Sequence, residues 1–238
     1  MKTIGMIGGL AWPSTVTFYR AINEEIAARL GENGLHCAKL ILAQTDFYEV
    51  ERCQRAGDWE SVARLMGEQA QKLKAAGADF FIIACNTVHT VYDEILRYTD
   101  LPCIHIADPV GDYARRLGCR KLGLLGSRYT MEGGYFTDRL RERFDLELLL
   151  PPKESREKIN DALYRELTRG ILREETRQDF LRCMEELVIQ GAEMIVLGCT
   201  EFGLLVTEQD SSVPLIDTSI ALAKAAVDLA LEDEAKLF

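Results

Sequence analysis

The chain has 238 residues, 47% of them hydrophobic and 28% charged, with a net charge of −10 at neutral pH. That length holds either one large α/β domain or two small lobes, and it is enough to bury a substantial core. The acidic balance leaves no Lys/Arg stripe to neutralise phosphates, which argues against a nucleic-acid surface, and no apolar run reaches membrane-spanning length.

In chain order, Lys2–Gly9 reads as an apolar strand running into a glycine turn. Pro13 to Arg29 reads as a helix, with Pro13 in its first turn and Phe18, Ile22 and Ile26 on one face. Leu40 to Ala43 is a second strand. Ser61 to Ala76 is a long helix carrying Val62, Leu65, Met66 and Leu73 and stopped by Gly77. Phe80 to Ala84 is a strand that delivers Cys85, and a helix follows toward Tyr98. Helices are expected again over Ile159–Gly170, Glu174–Gln190 and Leu222–Leu231. Strands separated by helical stretches imply parallel pairing through right-handed crossovers.

Two segments are nearly alike: Gly77-Ala78-Asp79-Phe80-Phe81-Ile82-Ile83-Ala84-Cys85-Asn86-Thr87 and Gly191-Ala192-Glu193-Met194-Ile195-Val196-Leu197-Gly198-Cys199-Thr200-Glu201. Each ends a buried strand in a cysteine, and the two thiols lie 114 residues apart, from 85 to 199. Lys2–Gly9 likewise resembles Lys121–Ser127, and Leu101–Asp108 resembles Val213–Thr218. Three signals in the same order indicate a duplicated unit: an α/β protein of two pseudo-symmetric, flavodoxin-like lobes with parallel sheets and an active site in the cleft between lobes. The expected lobes are 1–112 and 113–215, with a C-terminal helix, 216–238, packing back. Open α/β sheets work at the carboxyl ends of their strands. A thiol presented there from each half suits proton exchange at carbon, since a cysteine is both an accessible base and an acid near neutral pH.

Seven cysteines without compact spacing fit a reducing compartment, and Met1-Lys2-Thr3-Ile4 leads into a strand instead of a signal peptide. The expected location is the cytoplasm. No Cys-x-x-Cys pair occurs and the three histidines do not cluster with cysteines, so no metal site is expected. Gly5-x-x-Gly8-Gly9 lacks the full dinucleotide fingerprint, which argues against a nucleotide site.

Cys85-Asn86-Thr87, Gly198-Cys199-Thr200-Glu201, the opening Gly8-Gly9-Leu10-Ala11-Trp12-Pro13-Ser14-Thr15 and the loop Leu125-Gly126-Ser127-Arg128-Tyr129-Thr130 together resemble the aspartate/glutamate racemase family, in the family's order and over nearly the whole chain. The resemblance implies a cofactor-independent two-base racemase, commonly a homodimer, whose partner is a small-molecule amino acid. It implies that Cys85 and Cys199 are the catalytic pair, that Asn86, Thr87 and Thr200 hold the α-carboxylate and ammonium, and that Ser127 and Thr130 supply hydroxyls. Glutamate racemases typically show Asp-Ser after the first strand and a histidine after the second Cys-Thr; Gly8-Gly9 and Glu201 stand here, which points to the aspartate and broad-specificity branch. Lys158 matches a substrate-binding lysine of that branch, with Gln54 and Arg55 as weaker candidates for the same pocket. A hydantoin racemase and a non-catalytic amino-acid-binding protein stay as alternatives. Helix starts after each cysteine are expected to favour an anion and lower the thiol pKa values.

Structural roles stand beside these. Cys37, Cys53, Cys103, Cys119 and Cys183 read as small buried hydrophobes. Ser14 and Thr15 start a helix, and Asp108-Pro109 and Asp217-Thr218-Ser219 read as N-caps. Asn86, Thr87 and Thr200 also suit helix caps, Lys158 a solvated helix-start charge and His105 the core. His89 either tunes Cys85 or is structural, and Glu201 either orients Cys199 or bonds the backbone.

Overall fold

The computed structural model describes residues 1–232 and divides into two compact units: Met1–His105 with the described chain from Leu222 onward, and Ile106–Ala221. The part of the C-terminal helix expected beyond residue 232 lies outside the described residues.

The first unit contains β1 (Ile4–Gly8), α1 (Trp12–Leu30), β2 (Leu40–Gln44), α2 (Phe47–Ala56), α3 (Trp59–Ala75), β3 (Phe80–Ile83) and, after a 3-10 turn at Thr87–Val91, the short α4 (Tyr92–Ile95). Its sheet is parallel in the order β2-β1-β3. β1 and β3 are buried at every position, as apolar strands covered on both faces must be, whereas β2 alternates between half-buried and exposed at the edge. Asp46 and Asp58 cap α2 and α3, accepting from Tyr48 N–H at 3.1 Å and Ser61 N–H at 3.0 Å. α3 lays Val62, Met66, Ala70 and Leu73 against Ile7, Phe81 and Ile83.

The second unit contains α5 (Asp108–Leu117), β4 (Lys121–Gly126), α6 (Arg128–Glu132), α7 (Thr137–Phe144), β5 (Glu147–Leu149), α8 (Lys153–Arg165), α9 (Glu174–Ile189), β6 (Met194–Gly198), β7 (Leu215–Asp217) and the start of α10 (Thr218–Leu231). Its sheet is parallel in the order β5-β4-β6-β7. Leu125, Ile195 and Leu197 pack under Ile159, Leu163, Met184 and Leu187, and Phe180 meets Phe202 edge-on at 4.8 Å. The later part of α10 goes with the first unit, where Ala230 O accepts from Lys2 N–H at 2.8 Å.

The duplication is visible bond by bond. Gly77 and Gly191 are both left-handed, with φ of 92° and 100°. Ala78 N–H donates to Leu73 O at 3.0 Å and Ala192 N–H to Leu187 O at 2.9 Å; Phe81 N–H reaches Pro102 O at 2.8 Å and Ile195 N–H reaches Pro214 O at 2.9 Å. The copies differ at their third strand: β7 pairs with β6 over three residues, while its counterpart makes one bridge, Phe81 to Cys103.

Three local expectations are corrected. No α-helix starts directly after either cysteine. Thr87–Val91 and Phe202–Leu204 are 3-10 turns, with His89 N–H bonded to Asn86 O at 3.0 Å and Phe202 N–H to Cys199 O at 3.2 Å. Such short turns carry little helix dipole. Asp108 does not cap α5, whose cap is Ala107. Its carboxylate is clasped by Arg139 at 2.6 and 2.7 Å and by Arg143 at 2.9 Å, a bidentate charged contact that outcompetes a backbone amide. Cys37 is exposed, not buried, while Cys53 and Cys183 are buried.

Candidate active site

In each unit the chain departs from a central strand, β1 or β4, to a neighbour on one side and later returns on the other. The carboxyl ends of β1 and β3, and of β4 and β6, are therefore topological switch points, the usual location of ligand sites on open α/β sheets. Cys85 and Cys199 occupy these two places.

In the first unit, Gly8 O accepts from Thr45 N–H at 3.0 Å and from the Thr45 hydroxyl at 3.1 Å, and Gly9 N–H donates to buried Thr15 Oγ1 at 2.9 Å. Gly9 has φ 79°, and a Cβ there would stand 2.2 Å from Thr45 O, so only glycine makes this turn. Ala11 follows at φ 71°, an uncommon conformation for a residue with a side chain. Across from this loop, half-buried Cys85 leads into buried Asn86 and half-buried Thr87, whose carbonyl accepts from Thr90 Oγ1 at 2.7 Å. His89, 1% exposed, places Nδ1 2.8 Å from Cys85 O.

In the second unit Gly126 and Gly198 are paired in register, and half-buried Cys199 follows. A Cβ on Gly126 would lie 2.9 Å from Thr130 Cβ, and one on Gly198 would lie 3.0 Å from the Thr130 methyl, so fully buried Thr130 wedges both strand ends. Ser127 caps α6, accepting from Thr130 N–H at 3.3 Å, and its hydroxyl meets Thr130 Oγ1 at 3.2 Å, which in turn meets the Tyr135 hydroxyl at 3.0 Å. Glu201 is 8% exposed; its Oε2 accepts from Cys199 Sγ at 3.1 Å and from Thr200 Oγ1 at 2.8 Å. Glu201 thus orients the thiol. Asp217, at the end of β7, accepts from Ser219 N–H at 2.8 Å and Ile220 N–H at 3.4 Å; burial pushes its carboxyl above the ordinary range, and the nearby Glu201 charge adds to the shift.

The expected residues therefore fall into two groups: Asn86 and Thr87 gather with Cys85, while Thr200, Ser127 and Thr130 gather with Cys199. Lys158 joins neither. It is exposed on α8, paired with Glu154 at 3.1 Å, and it lines a groove of about 720 Å³ shared with Asp161, Asp179, Arg182 and Cys183 on α8 and α9. α8 reaches the switch point through Asn160 instead, whose Oδ1 accepts from Arg128 N–H at 2.9 Å. Gln54 lies half-buried on α2 with its Nε2 buried and without a hydrogen-bond partner, while Arg55 is an exposed partner of Glu51. Asn160 and Tyr135 are not among the expected residues: Tyr135 lies in the turn between α6 and α7 and Asn160 is 32 residues from its partner Arg128, so neither carries a local sequence signal. Among the described residues no group of three or more His, Cys, Asp or Glu could hold a metal ion, and no helix is long and apolar enough to cross a membrane.

The chain matches the Asp/Glu/Hydantoin racemase family over residues 7–226. It is similar in structure to a candidate Asp/Glu racemase from Yersinia pestis, at 44% identity and a TM-score of 0.92, covering 97% of this chain and 100% of that one. An aspartate racemase homologue from Pyrococcus horikoshii superposes with a TM-score of 0.83 at 31% identity, covering 97% and 99%. By sequence, the broad specificity amino-acid racemase RacX of Bacillus subtilis is 24% identical over 227 residues, 94% of this chain and 96% of its own. With the family matched over nearly its full length and the duplicated α/β units in place, the chain belongs to the Asp/Glu/Hydantoin racemase family and is an isomerase of the racemase kind.

Proposed function

We propose that the chain racemises a free acidic amino acid, aspartate or glutamate, without a cofactor, using Cys85 and Cys199 as its two bases. The thiolate of one takes the α-proton and becomes a thiol as the C–H electron pair passes onto carbon and the adjoining carboxylate. The thiol of the other gives its proton to the opposite face and becomes a thiolate. The centre is inverted, the two sulfurs have exchanged protonation states, and the reverse reaction starts from there. Asn86, Thr87, Ser127 and Thr200 are proposed to hold the α-carboxylate and ammonium, and Gln54 the side-chain carboxylate.

One observation carries this reading: each thiol stands at the switch point of its own parallel sheet, in matched positions of a duplicated unit. The names of relatives supply the substrate class, since they include an aspartate racemase homologue, glutamate racemases and a broad-specificity racemase. The test is chiral chromatography of acidic, polar and aliphatic amino acids after incubation in D₂O without added pyridoxal phosphate. Racemisation with α-deuteration of aspartate or glutamate is expected. Calorimetric binding of aspartate with no deuterium wash-in would contradict the reading and leave an amino-acid-binding protein.

A further inference from the structure

We propose that His89 is a positioning residue for Cys85, an inference that rests on reading Cys85 as one of the two bases. The Cys85 carbonyl can only accept, so the ring nitrogen 2.8 Å away carries a proton and Nδ1–H is the donor. In an α-helix that carbonyl would take the backbone N–H of residue 89. Here that N–H goes to Asn86 O at 3.0 Å, and the side chain of the same residue takes its place. The substitution lets the chain tighten into a 3-10 turn and holds Cys85 at the strand end, off the helix that would otherwise begin there.

The ring is itself fixed. His105, 2% exposed, meets it edge-on at 4.9 Å, and Tyr92 lies parallel to it at 6.0 Å and edge-on to His105 at 4.7 Å. The Tyr92 hydroxyl donates to Cys103 O at 2.7 Å, and Cys103 is bridged to Phe81 of β3. The contacts leave β3 at Phe81 and come back at Cys85, so the aromatic trio ties the thiol's backbone to the strand that carries it. A base that must meet a C–H bond in line tolerates little displacement, and about 1 Å can cost on the order of 100-fold in rate.

The test compares His89→Asn, whose amide nitrogen reaches the position of Nδ1, with His89→Gln, whose amide reaches only toward Nε2, and with His89→Leu, all beside Cys85→Ser. Steady-state kinetics and α-deuterium wash-in are read from each enantiomer in D₂O. His89→Leu and His89→Gln should lose roughly 10- to 100-fold in kcat with KM nearly unchanged, while His89→Asn stays within about threefold of the parent. The slowed wash-in should be confined to the enantiomer whose wash-in Cys85→Ser abolishes. Wild-type rates in His89→Leu, an equal loss in His89→Asn, or equal slowing of deuterium wash-in from both enantiomers would overturn the role while leaving the two-base reading intact. A Cys85→Ser enzyme that racemises normally would overturn both. Should His89→Leu fail to fold, the Asn and Gln pair decides by the same criterion.

Discussion

At the scale of single residues, the second thiol is held by a carboxylate. Glu201 takes hydrogen bonds from both Cys199 and Thr200. Glu201→Gln keeps an acceptor but removes its charge, and charge-assisted hydrogen bonds outweigh neutral ones by about 1 kcal/mol. kcat/KM should therefore fall about fivefold, equally from either enantiomer, because the equilibrium constant of a racemisation is one. An unchanged kcat/KM would contradict this. Gln54 carries a buried donor with no hydrogen-bond partner, a destabilising feature where it serves no ligand. Gln54→Leu should hold or raise the melting midpoint while raising KM for the acidic substrate; an unchanged KM would remove Gln54 from the site. Asp217 offers a pH test. Its carboxyl is raised in the folded state, so the fold binds that proton more tightly than the unfolded chain does. The associated stability is present below the ordinary carboxylate range and is lost as pH rises through the raised value. Asp217→Asn keeps an acceptor for the Ser219 and Ile220 amides and cannot ionise, so the variant should gain on the parent in melting midpoint as pH rises through that window. A parent that gains on the variant would contradict the assignment.

At the scale of elements, much of each strand and helix was legible because its signal is local. The runs ending in Cys85 and Cys199, the face of Phe18, Ile22 and Ile26, and the stops at Gly77 and Gly191 all reappear in place. What misled was competition from residues distant in sequence. Asp108 reads locally as a cap, but Arg139 and Arg143 of α7 clasp its carboxylate, and Arg115 over the Phe144 ring packs α5 against the same helix. Lys158 and Asn160 share one motif on α8, two residues or about 200° of helix rotation apart, and it is Asn160 that meets the Ser127 loop. The turn after β1 is testable at this scale. Gly9→Ala would need φ 79° with its Cβ 2.2 Å from Thr45 O. It should cost about 2 kcal/mol or more in urea unfolding, from left-handed strain of roughly 1–2 kcal/mol plus the clash. A variant within about 0.5 kcal/mol of the parent would show that the loop is not built as described.

At the scale of the whole molecule, the duplication is the organising fact, and it is legible because three signals repeat in the same order, at separations of 119, 114 and 112 residues. The sequence could not show how far the copies diverge. β7 is a strand where its counterpart is one bridge, and a glutamate attends Cys199 where a histidine bonds the backbone of Cys85. The proposed assembly is a homodimer, and sedimentation velocity over a range of concentrations should give a species of twice the 26.8 kDa chain mass. A monomer throughout would contradict it.

The most direct measurement of the central claim is α-proton exchange and racemisation by Cys85→Ser and Cys199→Ser, assayed separately from L- and D-substrate in D₂O. Two unlike bases predict that each variant loses racemisation in both directions while keeping deuterium wash-in from one enantiomer, and that the surviving enantiomer differs between the two. Most of the racemase activity persisting in either variant, or both variants exchanging the same enantiomer, would contradict the account.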